Sequence, residues 1–366
     1  MTIPLIDLRA QYLTIRTELV RAVEEVLDSG IYVAGRQVNL FEKEAARLTL
    51  SKYAVSTANG TDSLVLALHA CGVEPGDEII TSPYTFFATA EAIARVGAVP
   101  VFADIDRKTY NLSPDHAEAQ ITSKTKAILP VHLFGQPADM DAFLCIAQRY
   151  HIDVIEDACQ AFGAHYKGTP VGSIGRVGCV SFFPTKNLGG YGDGGIIFTD
   201  DEHVARQVRL LASHGSTERY YHEAIGYNSR LDEIQAAMLR IKLRKLEEWN
   251  RLRQKKATVY KELLQDTGIT LPYTIPEVRH VYHIYLTECE KRDELASYLQ
   301  QRGVATGHYY PCALHLQKAC AYLGYRPGDF PAAEELSRYA LALPMFPELT
   351  LAQQQYISHL IHQFMR

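Results

Sequence analysis

Short runs of β-forming residues alternate with helical patterns between about residues 50 and 200, and this alternation constrains the fold more than any other feature. Several of the runs are apolar on both faces, as strands buried in a parallel sheet are. The strand candidates cover residues 53–57, 78–82, 99–103, 126–131, 153–156, 178–183 and 195–199. Residues 60–72, 87–97 and 138–150 carry apolar side chains at the three- and four-residue spacing of helices. The pattern predicts a doubly wound α/β domain with a mostly parallel seven-stranded sheet.

The pattern changes after residue 230, where apolar side chains line one face of a long charged helix that reaches at least Trp249. This face carries Leu231, Ile234, Met238, Ile241 and Leu246. Beyond the helix, prolines separate shorter elements, as in a smaller α+β domain. The 366 residues leave room for two domains. We therefore predict a large domain over 1–250 and a small domain over 251–366. As an alternative placement, the N-terminal segment packs on the small domain.

Charge and cysteine content exclude several classes of protein. Lysine and arginine number 37 against 42 aspartates and glutamates, so no strongly positive field exists to hold a nucleic acid or an anionic membrane. The seven cysteines are scattered without a Cys-x-x-Cys pair, which argues against a disulfide framework or a zinc knuckle. The apolar N-terminus is broken by Asp7 and Arg9, and no stretch of about 18 apolar residues follows. We expect a cytoplasmic enzyme without nucleic-acid or membrane partners.

The most informative segment is SFFPTKNLGGYGDGG, residues 181–195, in which Lys186 lies between an aromatic strand end and a glycine-dense loop. Residues 190–195 match the dinucleotide pattern G-x-G-x-x-G, but that pattern requires a strand before it and a helix after it. Here a strand candidate follows instead. The glycines are better interpreted as a loop that gives Lys186 access to a flat ligand.

Three other segments place polar or aromatic residues just after strand candidates. In VIEDACQAFGA, Asp157 and Gln160 follow an apolar strand, where open α/β sheets bind ligands. In STANGTDSLVLALHA, Gly60 and Thr61 begin a helix whose free N–H groups form a phosphate cradle. In TSPYTFFATAEA, Phe86 offers an aromatic platform. Each has a plainer interpretation on its own, namely a helix cap, an ordinary helix start and a core side chain.

Taken together, a phosphate cradle, an aromatic ring, a carboxylate and a lysine at four strand ends are what pyridoxal 5'-phosphate requires. The four segments in this order resemble the DegT/DnrJ/StrS family of nucleotide-sugar aminotransferases, which have fold type I of the pyridoxal-phosphate enzymes. The resemblance covers nearly the whole chain and continues through GYNSRLDEIQAA at 226–237 and HYYPCALHLQ at 308–317. The family carries a histidine directly before the tyrosine-proline pair, whereas this chain has Tyr309 there and its histidine at 308. That departure leaves the sugar contacts open.

The resemblance implies a role for each of these residues. Lys186 forms the Schiff base with the cofactor and moves protons, Asp157 keeps the pyridine nitrogen protonated, and Phe86 stacks on the ring. Gln160 contacts the 3-hydroxyl side of the ring. The implied phosphate ligands are Gly60, Thr61, Ser181 and, from a second subunit of a homodimer with shared sites, Asn228. The implied substrate contacts are Arg230, His308, Tyr310 and His315.

By the same resemblance, glutamate donates nitrogen through the cofactor to a keto-sugar linked to a nucleoside diphosphate. Relatives that dehydrate sugars carry histidine in place of Lys186, so the lysine argues for transamination. Residues 187–195 resemble the branch that aminates C3, on a dTDP-linked 6-deoxyhexose or a UDP-linked N-acetylated uronate. Two alternatives stay open. The protein is a C4 aminotransferase, in which case the sequence of the loop after Lys186 reflects drift and not specificity, or it is a non-catalytic regulatory protein. The histidine pairs 280/283 and 359/362 lack further ligands, so we predict no metal site.

Overall fold

A seven-stranded sheet forms the centre of the molecule in the computed structural model, which describes residues 2–366. Its strands are β1 (Tyr53–Thr57), β2 (Glu78–Thr81), β3 (Val99–Phe102), β4 (Thr125–Leu129), β5 (Asp153–Asp157), β6 (Val177–Ser181) and β7 (Gly195–Thr199). The order across the sheet is β1-β7-β6-β5-β4-β2-β3. Only β7 runs antiparallel to its neighbours, β1 and β6. The predicted α/β fold with a mostly parallel seven-stranded sheet is confirmed, with the ends of β2 to β6 shifted by one or two residues.

Helices cover both faces of this sheet because successive strand residues point to opposite sides. The helices up to residue 243 are α1 (Leu8–Ser29), α2 (Arg36–Thr49), α3 (Gly60–Ala70), α4 (Ala88–Arg95), α5 (Pro114–Ala119), α6 (Met140–Tyr150), α7 (Glu202–Ala212) and α8 (Glu233–Leu243). Ile79 belongs to a buried apolar cluster that includes residues of α3, α4 and α7, and its neighbour Ile80 belongs to a second cluster that includes residues of α2, α6 and α8. Two buried apolar layers therefore hold the sheet in place.

The predicted long helix after residue 230 is wrong, since two helices occupy that stretch. Helix α8 ends at Leu243 and α9 (Leu246–Leu264) follows after a tight turn, in which the Lys245 N–H donates to the Lys242 carbonyl at 2.9 Å. The step of five residues from Ile241 to Leu246 does not fit one helical face. The turn allows Ile241 to pack against α1 while Leu246 enters the core beneath the sheet.

The C-terminal part has its own apolar cluster around β8 (Tyr285–Glu288) and β9 (Ala340–Leu343), which pair antiparallel. The helices here are α10 (Arg292–Gln301), α11 (Pro331–Tyr339) and α12 (Leu351–Met365). Ile3 pairs with Val304 and belongs to this cluster, so the N-terminal segment packs here. The predicted boundary at residue 250 falls inside α9, whose two ends enter different clusters, and the division into domains remains a prediction.

Shorter elements complete the described chain. A hairpin of Ser216–Glu218 and Tyr221–His222 projects between α7 and α8, and Val278–Arg279 pairs with His165–Tyr166, which pairs in turn with Thr169–Pro170. Short 3-10 segments occur at Leu133–Gly135, Leu314–Leu316 and Lys318–Leu323. Within residues 2–366, no helix is both long and apolar enough to cross a membrane.

Candidate active site

The carboxyl ends of β1, β2, β5 and β6 meet at one edge of the sheet, and a cavity of about 630 Å³ opens there. Ligands bind at this edge in open α/β sheets because loops that follow parallel strands converge on it. Lys186, Asp157 and the start of α3 lie on one wall of the cavity. Segments of the C-terminal part, including Tyr309 and Met345, form the opposite wall. The cavity therefore lies between the carboxyl edge of the sheet and the C-terminal part of the chain.

Lys186 follows β6 in a loop that the surrounding chain holds tightly. The Lys186 N–H donates to the Phe183 carbonyl at 2.8 Å, and the Asn187 side-chain amide donates to Asn250 and to the Val281 carbonyl. The Lys186 amine has no hydrogen-bond partner among the described residues. Burial lowers its pKa, although the charge of Asp157 and the nearby thiol of Cys159 oppose the shift. A larger neutral fraction makes the amine a better nucleophile and base.

Asp157 is the last residue of β5 and lies on the cavity wall, almost wholly buried. The Thr89 hydroxyl donates to Oδ2 at 2.8 Å and the Cys159 N–H donates to Oδ1 at 3.1 Å. Each carboxylate oxygen thus holds one donor and retains a free lone pair. The carboxylate is fixed in orientation and can accept a third hydrogen bond from a cationic N–H in the cavity.

Helix α3 directs its N-terminus into the same cavity. Asn59 caps it by accepting from the Asp62 N–H at 2.8 Å, while the N–H groups of Gly60 and Thr61 have no partner among the described residues. A Cβ on Gly60 would lie 2.6 Å from Cβ of Ser181, so glycine is required for this close approach. Free N–H groups and the helix dipole beside a serine hydroxyl suit a phosphate group.

Gln160 and two aromatic residues complete this side of the cavity. The Phe134 N–H donates to Oε1 of Gln160 at 3.0 Å, and Nε2 of Gln160 donates to the Tyr310 hydroxyl at 2.9 Å. These two bonds fix the amide with its NH₂ group towards the cavity. The Phe86 ring is 59% exposed and lies 6.5 Å from the Tyr310 ring, so Phe86 is available to a ligand and does not fill the core.

Four of the predicted site residues lie outside this cavity. Asn228 and Arg230 are exposed on the segment before α8, and His308 is exposed beside a smaller second cavity. His315 is buried, with its Nε2 bonded to Glu334 at 3.0 Å. The predicted contact of His315 with substrate is therefore not available within one chain, because a carboxylate and the surrounding protein already occupy its ring edge.

Sequence reasoning missed other residues that the cavity brings together. Thr89 is the second residue of α4, and nothing in its local sequence signals a bond to Asp157, 68 residues away. Tyr309 lines the cavity beside Tyr310. His283 also lines the cavity, although sequence reasoning considered it only as part of the pair with His280, for which no metal site was predicted. Among residues 2–366, no group of three or more histidine, cysteine, aspartate or glutamate side chains could hold a metal ion.

The donor set fits pyridoxal 5'-phosphate. The unpaired N–H groups at the start of α3 and the Ser181 hydroxyl match the phosphate, and the fixed Asp157 carboxylate matches a protonated ring nitrogen. Lys186 supplies the primary amine that a Schiff base needs. No buried charge in this set would be left without a partner once the cofactor is bound.

Comparisons with known proteins identify the family of the chain. The model of the DegT/DnrJ/EryC1/StrS aminotransferase family matches residues 13–362. A pleiotropic regulatory protein of Geobacillus stearothermophilus is 48% identical, over 100% of this chain and 99% of the relative. The UDP-2-acetamido-2-deoxy-3-oxo-D-glucuronate aminotransferase of Pseudomonas aeruginosa is 44% identical, over 97% of this chain and 98% of the relative. The crystal structure of S. venezuelae DesV in complex with a ketimine intermediate has a TM-score of 0.98 at 41% identity, over 100% of this chain and 99% of that one. The chain belongs to the DegT/DnrJ/EryC1/StrS aminotransferase family.

Proposed function

We propose that the protein is a pyridoxal-phosphate-dependent aminotransferase that transfers the amino group of glutamate to a keto-sugar linked to a nucleoside diphosphate. The observation that carries this proposal is the cavity, which brings together the Lys186 amine, the fixed Asp157 carboxylate and the open N-terminus of α3. The three come from distant parts of the chain, and each answers one functional group of the cofactor.

The residues of the cavity have distinct tasks in this reaction. When bound, the cofactor supplies an electron sink for the negative charge that develops at the reacting carbon. Asp157 would hold a proton on the ring nitrogen through its carboxylate, which Thr89 and the Cys159 N–H keep in place. Lys186, whose pKa burial lowers, takes a proton from one carbon and returns it to another. Gln160 would hold the oxygen substituent of the ring with its NH₂ group, and Phe86 would stack on the ring.

The active form is a homodimer in which each chain completes its partner's site. Asn228 and Arg230 are exposed and lie outside the cavity of their own chain, which leaves the phosphate end with Gly60, Thr61 and Ser181. An exposed apolar stripe on α1, made of Leu13, Val20 and Leu27 at seven-residue spacing, supports a second copy as the partner. The partner's Asn228 would then reach the phosphate, and its Arg230 an anionic part of the substrate.

The acceptor is a 3-keto sugar carried on dTDP or UDP. The loop after Lys186 borders the cavity through Asp193, so its sequence bears on which sugar fits. The relative from Pseudomonas aeruginosa is named for a 3-oxo sugar, which supports amination at C3 over C4. Such a reaction takes place in the cytoplasm, where nucleotide sugars and glutamate are both present.

A regulatory role without catalysis is the second candidate, because a relative that is 48% identical is named as a pleiotropic regulatory protein. A protein that only binds a partner has no need of a desolvated lysine facing a fixed carboxylate in a formed cavity. Both groups are in place here. We therefore rank catalysis first.

The test is to measure cofactor binding and turnover in wild-type protein and in Lys186→Ala. Wild type should show the visible absorbance of lysine-bound cofactor, which shifts with glutamate, and should aminate a 3-keto nucleotide sugar, with the new nitrogen located at C3 by NMR. Lys186→Ala should lose both signals while remaining folded, because the lysine reacts and does not pack.

Lys167→Ala, which alters an exposed lysine paired with Asp141, serves as the control and should behave like wild type. Amination by Lys186→Ala would overturn the mechanism. Amination at C4 alone would overturn the choice of sugar, and a wild-type protein that binds cofactor but aminates no keto-sugar would favour the regulatory role.

A further inference from the structure

His283 is a cavity residue to which the mechanism above gives no task. It lies just before β8, on a segment fixed to the large sheet domain by the Val281 N–H, which donates to the Gly135 carbonyl at 2.9 Å. The same segment accepts a hydrogen bond from Asn187, the residue next to Lys186, at the Val281 carbonyl. The His283 ring lines the cavity together with Lys186 yet is only 5% exposed.

Neither ring nitrogen of His283 has a hydrogen-bond partner among the described residues, and Nδ1 is shielded from solvent. Buried N–H groups without an acceptor are rarer in proteins than buried lone pairs without a donor. A neutral imidazole carries its proton on one nitrogen only. The geometry therefore favours a proton on Nε2, the nitrogen that the cavity can reach, and a bare Nδ1.

The surroundings keep this imidazole neutral and in place. Nη1 of Arg253 donates to the main-chain carbonyls of Tyr282, His283 and Met345 at 3.2, 3.4 and 2.8 Å. These bonds fix the backbone at His283. Burial and the positive charges of Lys186 and Arg253 lower the pKa of His283 well below its usual value. A neutral N–H donor suits an uncharged oxygen, whereas a carboxylate would gain more from a cation.

The residues described above would supply partners for each polar group of the cofactor elsewhere in the cavity. When the cofactor is bound, its phosphate would be held by the start of α3, its ring nitrogen by Asp157 and its ring oxygen by Gln160. What remains beside Lys186 is the substrate carbon to which the lysine delivers a proton. The ligand of His283 is therefore part of the substrate.

We propose that His283 is a substrate-binding residue whose Nε2–H donates a hydrogen bond to an uncharged oxygen of the acceptor sugar, a hydroxyl or amide carbonyl next to the aminated carbon. This inference rests on the proposed aminotransferase function. The charged α-carboxylate of glutamate is left to another group, so His283 acts on the sugar half-reaction and not on the glutamate half-reaction.

The first experiment reads the protonation of the ring directly and needs no substrate. Nitrogen NMR of protein labelled with ¹⁵N-histidine, with the His283 signals assigned by their loss in His283→Gln, should show a proton on Nε2 and none on Nδ1. A proton on Nδ1 with a bare Nε2 would overturn the donor role, whichever reaction the protein catalyses.

The second experiment measures the two half-reactions separately by the cofactor absorbance. His283→Phe should raise the KM for the keto-sugar about tenfold, the value of one neutral hydrogen bond, and should leave the glutamate step within about twofold. His283→Gln, which keeps an N–H donor, should recover most of the sugar affinity. His280→Phe is the matched control, because His280 is equally buried three residues earlier, stacks on Tyr282 and does not line the cavity.

Binding of the amino-sugar nucleotide product should weaken most in His283→Phe and less in His283→Gln. It is measured by calorimetry on borohydride-reduced enzyme, which cannot turn over. Equal losses in both half-reactions, or an unchanged KM for the sugar in His283→Phe, would overturn the proposal. A wild-type protein that aminates no keto-sugar would instead refute the proposed function, and the NMR result would still judge the donor role.

Discussion

Asp157 depends on two neighbours that hold its carboxylate oxygens, and this arrangement makes a substitution informative. In Asp157→Asn one amide NH₂ group must face either the Thr89 hydroxyl or the Cys159 N–H, and the amide cannot hold a proton on the ring nitrogen. We expect cofactor binding to survive while turnover falls at least about 100-fold. Absorbance titration and single-turnover rates measure the two effects.

Thr89→Val is the companion variant, because it removes one donor and leaves the carboxylate charge. Its turnover should lie between those of wild type and Asp157→Asn. Near-normal turnover in Asp157→Asn would move the role of proton holder to another residue.

Individual residues differ in how far the sequence reveals them. Lys186 and Asp157 were predictable because each follows an apolar strand within a distinctive segment, and strand ends in such sheets form binding sites. Thr89 and His283 were not, because their roles depend on contacts with residues far along the chain. Phe86 stood between two interpretations, and only its exposure in the folded chain excludes core filling.

At the scale of elements, strand β5 contributes both to the site and to stability, because Asp157 lines the cavity and its neighbour Glu156 makes buried hydrogen bonds. Glu156, next to Asp157 on this strand, is fully buried. Its carboxylate accepts hydrogen bonds from the main-chain N–H groups of Gly172, Ile174 and Gly175 at 2.7–2.8 Å and from Nε2 of His132. Glu156→Gln replaces an acceptor oxygen by a donor and leaves buried N–H groups unpaired. We expect it to lower the free energy of unfolding by about 3 kcal/mol, measured by urea titration.

The control for this prediction is Glu118→Gln, which removes the partly exposed ion pair between α5 and Arg149 on α6. Exposed ion pairs contribute little, so this variant should change stability by less than about 1 kcal/mol. A loss below about 1 kcal/mol in Glu156→Gln would show that the 171–175 loop finds other acceptors.

The elements were predictable to different degrees for physical reasons. Strands buried on both faces stand out as apolar runs, and β1 and β7 were placed at their true bounds. The turn between α8 and α9 was missed because Arg244 and Lys245 are good helix formers and neither glycine nor proline marks the break. Packing of Ile241 and Leu246 into different clusters decides that turn, and packing is invisible in a local pattern.

For the whole molecule, the sequence predicted the sheet but not the closure of the cavity. The wall formed by Tyr309 and Met345 comes from the C-terminal part, whose placement depends on contacts across the entire chain. Asn228 and Arg230, which the family resemblance assigns to the partner's site, are exposed and lie outside the cavity of their own chain, and the shared site stays a prediction.

A shared site can be tested by mixing two inactive variants, Lys186→Ala and Asn228→Asp. The second places a negative charge opposite the phosphate and should be inactive alone. In a mixed dimer, the chain that keeps Lys186 meets the intact Asn228 of its partner, so one of the two sites is whole. Random exchange makes half of the dimers mixed, and activity should recover to about a quarter of the wild-type value per chain.

Lys186→Ala mixed with Asp157→Asn is the control. Each of these changes affects the cavity of the chain that carries it, so no site in a mixed dimer is whole. Mixed dimers verified by two affinity tags that remain inactive would contradict sharing, as would equal recovery in the control.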